Sequence, residues 1–217
     1  MEGFPGVYRI GKALATENLS PGSRVYGEEL VEKDGKELRM WNPHRSKLAA
    51  AILKGLRSFP FKEESNVLYL GASTGTTPSH VSDICRKGRV YCVEFSETSM
   101  RKLLDVCKKR PNTVPMLQDA RRPEAYQYLV GGVDVIYQDV AQPDQAGILI
   151  NNARTFLKPG EYAMIAIKAR SVDSVKSPKE VFEKVKGELS GSFEIAESVD
   201  LRPYDDSHEL VVCRLKG

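Results

Sequence analysis

The sequence predicts an α/β fold: an open, mostly parallel sheet, with a small antiparallel β module ahead of it. Three observations predict it. From residue 46 onward, apolar runs of strand length alternate with amphipathic stretches of helix length, the pattern of β-α-β units with right-handed crossovers. The last two apolar runs, FEIAESVDL and HELVVCRL, have only the polar RPYDDS between them, so they are expected to pair antiparallel at one edge. Residues 1–45 carry hairpin signals instead of helical ones.

Taken in order, Val7 to Ile10 is a strand candidate. RVYGEELVEKDGKELRMW reads as a hairpin because Asp34-Gly35 supplies the positive φ angles of a tight turn. Ser46 is placed to cap a helix, KLAAAILKGL, and NVLYLG is a buried strand ending in glycine. A helix follows over TPSHVSDICRKG, with Thr77 read as its cap, Pro78 in its first turn and Gly88 past its end. RVYCVEF is a strand and SETSMRKLLDVCKKR a helix that Pro111 stops. TVPMLQDA and VDVIYQDV are strands, DQAGILINNARTFL a helix broken by Pro159-Gly160, and YAMIAIKA a strand. Ser177-Pro178 opens a helix to about Ser190 before the closing pair. The expected division is a module over residues 1–45 and an α/β domain over 46–217.

Composition narrows the function. The chain has 217 residues, 41% hydrophobic and 28% charged, enough for one α/β core and a small appendage. Lys+Arg 32 against Asp+Glu 29 leaves only +3, too little to hold a polyanion by bulk charge. Cys85, Cys92, Cys107 and Cys213 form no C-x-x-C pair, so no metal site is expected, and free thiols suit a reducing compartment. Neither a membrane span nor a signal peptide is visible, which places the expected location in the cytoplasm.

Ligands of such sheets bind beyond the carboxyl ends of the strands. Gly71-Ala-Ser-Thr-Gly75-Thr-Thr77 follows the first of these strands, Glu94-Phe95 ends the second and Asp119-Ala120 the third. The glycine loop matches neither dinucleotide-binding nor phosphate-loop patterns. Its turn still allows close backbone approach at Gly71, and Thr76 and Thr77 offer amides and hydroxyls to a carboxylate. Glu94, about twenty residues on, stands where an acid accepts ribose hydroxyls, and Asp119 can accept an adenine amine. Any one of these alone is usually a turn or a solvated acid. Three in register favour a ligand with carboxylate, ribose and adenine but no phosphate: S-adenosyl-L-methionine.

Methyl transfer to a hydroxyl requires the oxygen to be aligned, its proton removed and developing charge stabilised. Asp139 ends the strand VDVIYQDV, and Lys168 interrupts an otherwise apolar strand, so Asp139 is read as the partner a buried Lys168 needs. Lys47 opens the first helix and His208 begins the final strand; alone, each would more often be a surface residue.

The runs WNPHRSKLAAAI, VLYLGASTGTT, VEF, DAR, DVAQPDQ, IKAR and PYDDSHELVV resemble fibrillarin, the family of RNA-guided ribose 2′-O-methyltransferases, over nearly the whole chain. The Gly/Arg-rich tail of eukaryotic members is missing, so the resemblance is to the archaeal form. It implies a Rossmann-like S-adenosylmethionine methyltransferase sheet with an antiparallel final strand. It also implies a catalytic set Lys47, Asp139, Lys168 and His208, with Lys168 as proton acceptor. Cofactor contacts implied by the resemblance are Thr76, Thr77, Glu94, Phe95, Asp119, Ala120, Asp139 and Gln142. One departure is Ser207, where the family usually has an acid before the histidine. Implied partners are a Nop5-type scaffold protein, an L7Ae-type RNA-binding protein, a box C/D guide RNA and its rRNA or tRNA target.

Basic clusters at Arg101-Lys102, Lys108-Lys109-Arg110 and Arg121-Arg122 divide about evenly between solvated faces and RNA contacts. No RNA-recognition motif is present, so target choice is expected to lie in the guide. Two other readings stay open on the residues alone: the same cofactor chemistry on a protein or small molecule, and a non-catalytic ribonucleoprotein scaffold.

Overall fold

A computed structural model describes residues 3–217. The first sheet comprises β1 (Val7–Ile10), β2 (Ala13–Glu17), β3 (Leu30–Lys33) and β4 (Lys36–Trp41), antiparallel in the order β1-β2-β4-β3. Asp34 and Gly35 turn β3 into β4 with φ of 52° and 73°, as the sequence predicts. Strand β2 had no signal in the pattern, because Leu14, Ala15 and Thr16 are buried in succession and alternation is lost. Residues 24–28, expected in the hairpin, form a bend instead: the Glu28 carboxylate accepts the amides of Val25 (3.0 Å) and Tyr26 (2.8 Å).

The second sheet has seven strands: β5 (Val67–Leu70), β6 (Val90–Glu94), β7 (Thr113–Leu117), β8 (Val135–Gln138), β9 (Tyr162–Lys168), β10 (Phe193–Asp200) and β11 (His208–Leu215). Their order is β10-β11-β9-β8-β5-β6-β7. The closing pair is antiparallel as expected, but β11 inserts between β9 and β10 and leaves β10 at the edge. That insertion places His208 directly opposite Lys168.

Strand periodicity divides the core in two. On one face Tyr69, Tyr137, Met164, Ala166 and Leu210 pack with α1 (Lys47–Leu53), α2 (Thr76–Ile84) and α3 (Glu97–Cys107). On the other, Leu68, Ile136, Ile165 and Val211 pack with α4 (Gln145–Phe156) and α6 (Pro178–Ser190). A short α5 (Ala169–Val172) follows Lys168. Ser46 caps α1 and Ser177 opens α6 with a capping box, both at the expected residues. Thr77 does not cap α2. Gly75 does, with φ of 89°, and Thr77 lies inside the helix.

A buried polar network fastens the first sheet to α2. Asp83 accepts from Arg39 at 2.8 Å and from Arg110 at 2.5 Å, and Arg39 also donates to Glu28 and Ser79. His80 sits between the Thr16 hydroxyl (2.7 Å) and the Tyr26 hydroxyl (2.8 Å), stacked on Trp41. Two guanidiniums around the shared Asp83 carboxylate, with Glu28 on Arg39, keep the buried charges paired. The module therefore holds α2 rigidly where that helix meets the carboxyl-end rim. Among the described residues no helix is long and apolar enough to cross a membrane.

Candidate active site

A cavity of about 780 Å³ opens at the carboxyl ends of β5, β6, β7 and β8, within the size range of small-molecule sites. Every expected cofactor residue borders it: Gly71, Thr76, Thr77, Glu94, Phe95, Asp119, Ala120, Asp139 and Gln142. Gly71 has φ of 81°, and a Cβ there would press into the Asp139 carbonyl oxygen. The glycine thus lets the β5–α2 loop pass against the end of β8.

The walls differ in chemistry along the cavity. At one end, α2 begins without a side-chain cap, so the Thr76 and Thr77 amides and the helix dipole favour a carboxylate. Thr77 Oγ1 donates to Ser46 Oγ at 3.0 Å, tying this end to the start of α1. Mid-cavity, each Glu94 oxygen accepts one backbone amide, from Ser73 at 2.7 Å and Ser96 at 2.8 Å. Each oxygen keeps lone-pair capacity for a hydroxyl. Phe95 is 64% exposed at the rim, a free aromatic face for a planar base. Asp119 is chelated by Arg121, whose hydrogen bonds hold its carboxyl below the ordinary aspartate range. An anion-binding end, a diol acceptor and an aromatic edge fit S-adenosyl-L-methionine.

Side-chain parity gathers the catalytic candidates. Asp139 follows β8 on the face of Tyr137, Lys168 is on the face of Ala166, and His208 lies opposite Lys168. Lys47 opens α1, which packs on that same face. The pairing differs from expectation. Asp139 Oδ2 accepts from Lys47 Nζ at 2.8 Å, both side chains about a quarter exposed. Lys168 is half-buried, ends β9 and has no ion-pair partner among the described residues. It needs none, because the end of β9 leaves its side chain only half-buried.

Gln145 joins the two strand ends. Its Oε1 accepts the Lys168 amide at 3.1 Å, its Nε2 donates to the Val140 carbonyl at 2.9 Å, and its own carbonyl accepts Gln138 Nε2 at 2.7 Å. His208 is buried. Its Nδ1 faces Asp205 Oδ1 at 2.5 Å, so Asp205 supplies the acid missing at Ser207. Nε2 is buried without a partner, and burial, then the Lys47 charge, hold the imidazole below its usual pKa. Glu209 turns to the other face and pairs with Lys186 at 3.0 Å.

Gln145 and Asp205 escaped the sequence reading as site residues, although both lie within the motifs DVAQPDQ and PYDDSHELVV. The basic clusters also separate. Arg110 is buried on Asp83, Arg121 and Arg122 pair with Asp119 and Glu124, and Lys108 pairs with Asp105.

Residues 1–217 match the family described as Fibrillarin. A fibrillarin-like rRNA/tRNA 2′-O-methyltransferase of Methanopyrus kandleri is 54% identical over 223 residues, covering 100% of this chain and 96% of the relative. Aeropyrum pernix fibrillarin, solved with natively bound S-adenosyl-L-methionine, superposes with a TM-score of 0.86 at 51% identity, covering 93% of this chain and 88% of that one. A chain from a fibrillarin/Nop5p complex superposes with a TM-score of 0.92 at 42% identity, covering 99% and 100%.

Proposed function

The chain belongs to the fibrillarin family, and from that premise we propose that it is the catalytic subunit of a box C/D ribonucleoprotein. It transfers a methyl group from S-adenosyl-L-methionine to ribose 2′-hydroxyls of rRNA and tRNA. The observation that carries this reading is the Lys47–Asp139 pair at the edge of a donor-sized cavity, with Lys168 and His208 on the same face.

Thr76 and Thr77 would hold the donor's carboxylate, Glu94 its ribose, and Phe95, Asp119 and Ala120 its adenine, with Gly71, Asp139 and Gln142 completing the wall. Bound there, the donor supplies an electrophilic methyl on a sulfonium. Asp139 keeps one oxygen on Lys47; its other oxygen has no partner among the described residues and accepts the ribose hydroxyl. Lys168 is assigned as the acceptor of the hydroxyl proton. Lys47 balances the charge of Asp139 and of the developing alkoxide. His208, its proton affinity lowered by burial and its Nδ1 held by Asp205, places the unpartnered Nε2 in the wall beside Lys168.

A Nop5-type scaffold recruits the chain, and an L7Ae-type protein and guide RNA complete the particle. This division of labour suits a chain of net charge +3 without an RNA-recognition motif. The test is methyl transfer in the reconstituted particle to matched targets with ribose or 2′-deoxyribose at the guided nucleotide. Labelling of the ribose target alone is expected; equal labelling of both would point to a base or protein acceptor.

A further inference from the structure

Beside the donor cavity runs a second groove, of about 440 Å³, which shares Arg45 and Thr74 with it. One wall is a stripe of Lys102, Asp105 and Val106 on one face of α3, continued by Lys109 in the turn just past its end. The other wall is the β2–β3 connection with Arg24 and Tyr26.

Arg24, Arg45, Lys102 and Lys109 have no acidic partner among the described residues. The groove's one acid, Asp105, is already bonded to Lys108 at 3.0 Å. Two of the cations are held in place without being neutralised. Arg24 Nε donates to the Glu28 carbonyl at 3.0 Å, and the Arg45 guanidinium lies 5.2 Å from the Tyr26 ring centre. Preorganised, uncompensated guanidiniums suit phosphate oxygens. The shared wall leads straight to the chemistry, since Arg45 stands two residues before Lys47 and Thr74 two before Thr76.

We propose that this groove seats the phosphodiester backbone of the target RNA strand flanking the methylated nucleotide. The proposal rests on the ribose-methylation reading and deepens it. Phosphate contacts of this kind set register and specify no sequence, which leaves target choice to the guide. They also supply locally the grip that the net charge does not.

The test compares wild type, a Lys102→Ala/Lys109→Ala pair and a Lys102→Arg/Lys109→Arg pair in the reconstituted particle, with KM for target RNA measured across a salt series. The alanine pair is expected to raise KM several-fold. Its salt dependence should be shallower by about 0.7 log units per log unit of salt for each single-strand phosphate that is no longer neutralised. The arginine pair should match wild type. Donor binding by each chain checks folding, and binding of a labelled single-stranded RNA to the isolated chain at low salt gives a readout without turnover. A wild-type particle silent on ribose, with RNA binding still weakened by the alanine pair, would sink the functional reading and keep the groove. An alanine pair equal to wild type in KM, salt slope and RNA binding would overturn the groove. So would an alanine pair that binds RNA normally and instead fails to join the scaffold protein, which would make the groove a protein-docking surface.

Discussion

Lys47 Nζ lies 2.8 Å from Asp139 Oδ2 across 92 residues of sequence, joining the first turn of α1 to the end of β8. The pair brings a cation and an anion to the rim where the proposed acceptor oxygen would sit. Replacing Lys47 with Met leaves Asp139 without its counter-charge. Turnover is expected to fall by about 10²-fold, the low end of what a positioned acid–base group contributes. The same substitution should raise the His208 pKa, because burial and then the Lys47 charge depress it. Single-turnover kinetics and NMR titration of the imidazole check the two effects.

Gln145 acts at one remove. It bonds the Lys168 amide and the Val140 carbonyl, so it sets the spacing of the two strand ends that carry Lys168 and Asp139. Gln145→Ala should lower kcat by about 10–100-fold through misplacement, with donor affinity little changed. A loss in donor binding as large as the loss in kcat would show that Gln145 serves the cavity instead.

Gly71 has a backbone φ of 81° and no room for a methyl against Asp139. Gly71→Ala is expected to cost about 2 kcal/mol or more of folding stability, from strain and displacement of the loop. Urea unfolding measures it.

Asp83 neutralises two buried guanidiniums at once. Asp83→Ala should destabilise by about 3–5 kcal/mol, because Arg39 and Arg110 are then left with too little negative charge. Denaturant midpoints of the variant against wild type give the figure.

Burial, with Arg39 and Arg110 nearby, holds His80 well below its ordinary pKa, and His208 is lowered too. His80 stays neutral in the fold and His208 takes up its proton only at lower pH than in the unfolded chain, which protonates near pH 6.5. Their contribution to stability is therefore complete above that pH and is lost progressively as the pH falls below it. Thermal unfolding from pH 7.5 to 5 should show a falling Tm, with a shallower slope for His80→Gln.

Much of the fold was legible because the α/β half obeys local rules. Alternating elements, the Ser46 and Ser177 caps and the Asp34-Gly35 turn each depend on neighbours within a few residues. The cavity wall was legible for a similar reason, since successive strand ends stack in space. Long-range pairing was not. Arg39 and Arg110 lie 44 and 27 residues from Asp83, and nothing local marks them as one cluster. Arg110 therefore read as part of a surface run. Asp139 was assigned to Lys168 because a lysine in an apolar strand was expected to be buried and to need a partner; the end of β9 leaves Lys168 half-buried, and Lys47 reaches across from α1. Thr77 read as a cap because hydroxyl residues usually cap, but Gly75 makes the turn and Thr77 bonds Ser46.

Lys168 does not border the donor cavity, yet it faces His208 and shares a sheet face with Asp139. Lys168→Ala therefore separates catalysis from cofactor binding. In the reconstituted particle, with donor binding measured alongside, the account predicts unchanged donor affinity and a single-turnover rate reduced by about 10² or more. A Lys168→Ala particle that methylates guided ribose at the wild-type rate would contradict it.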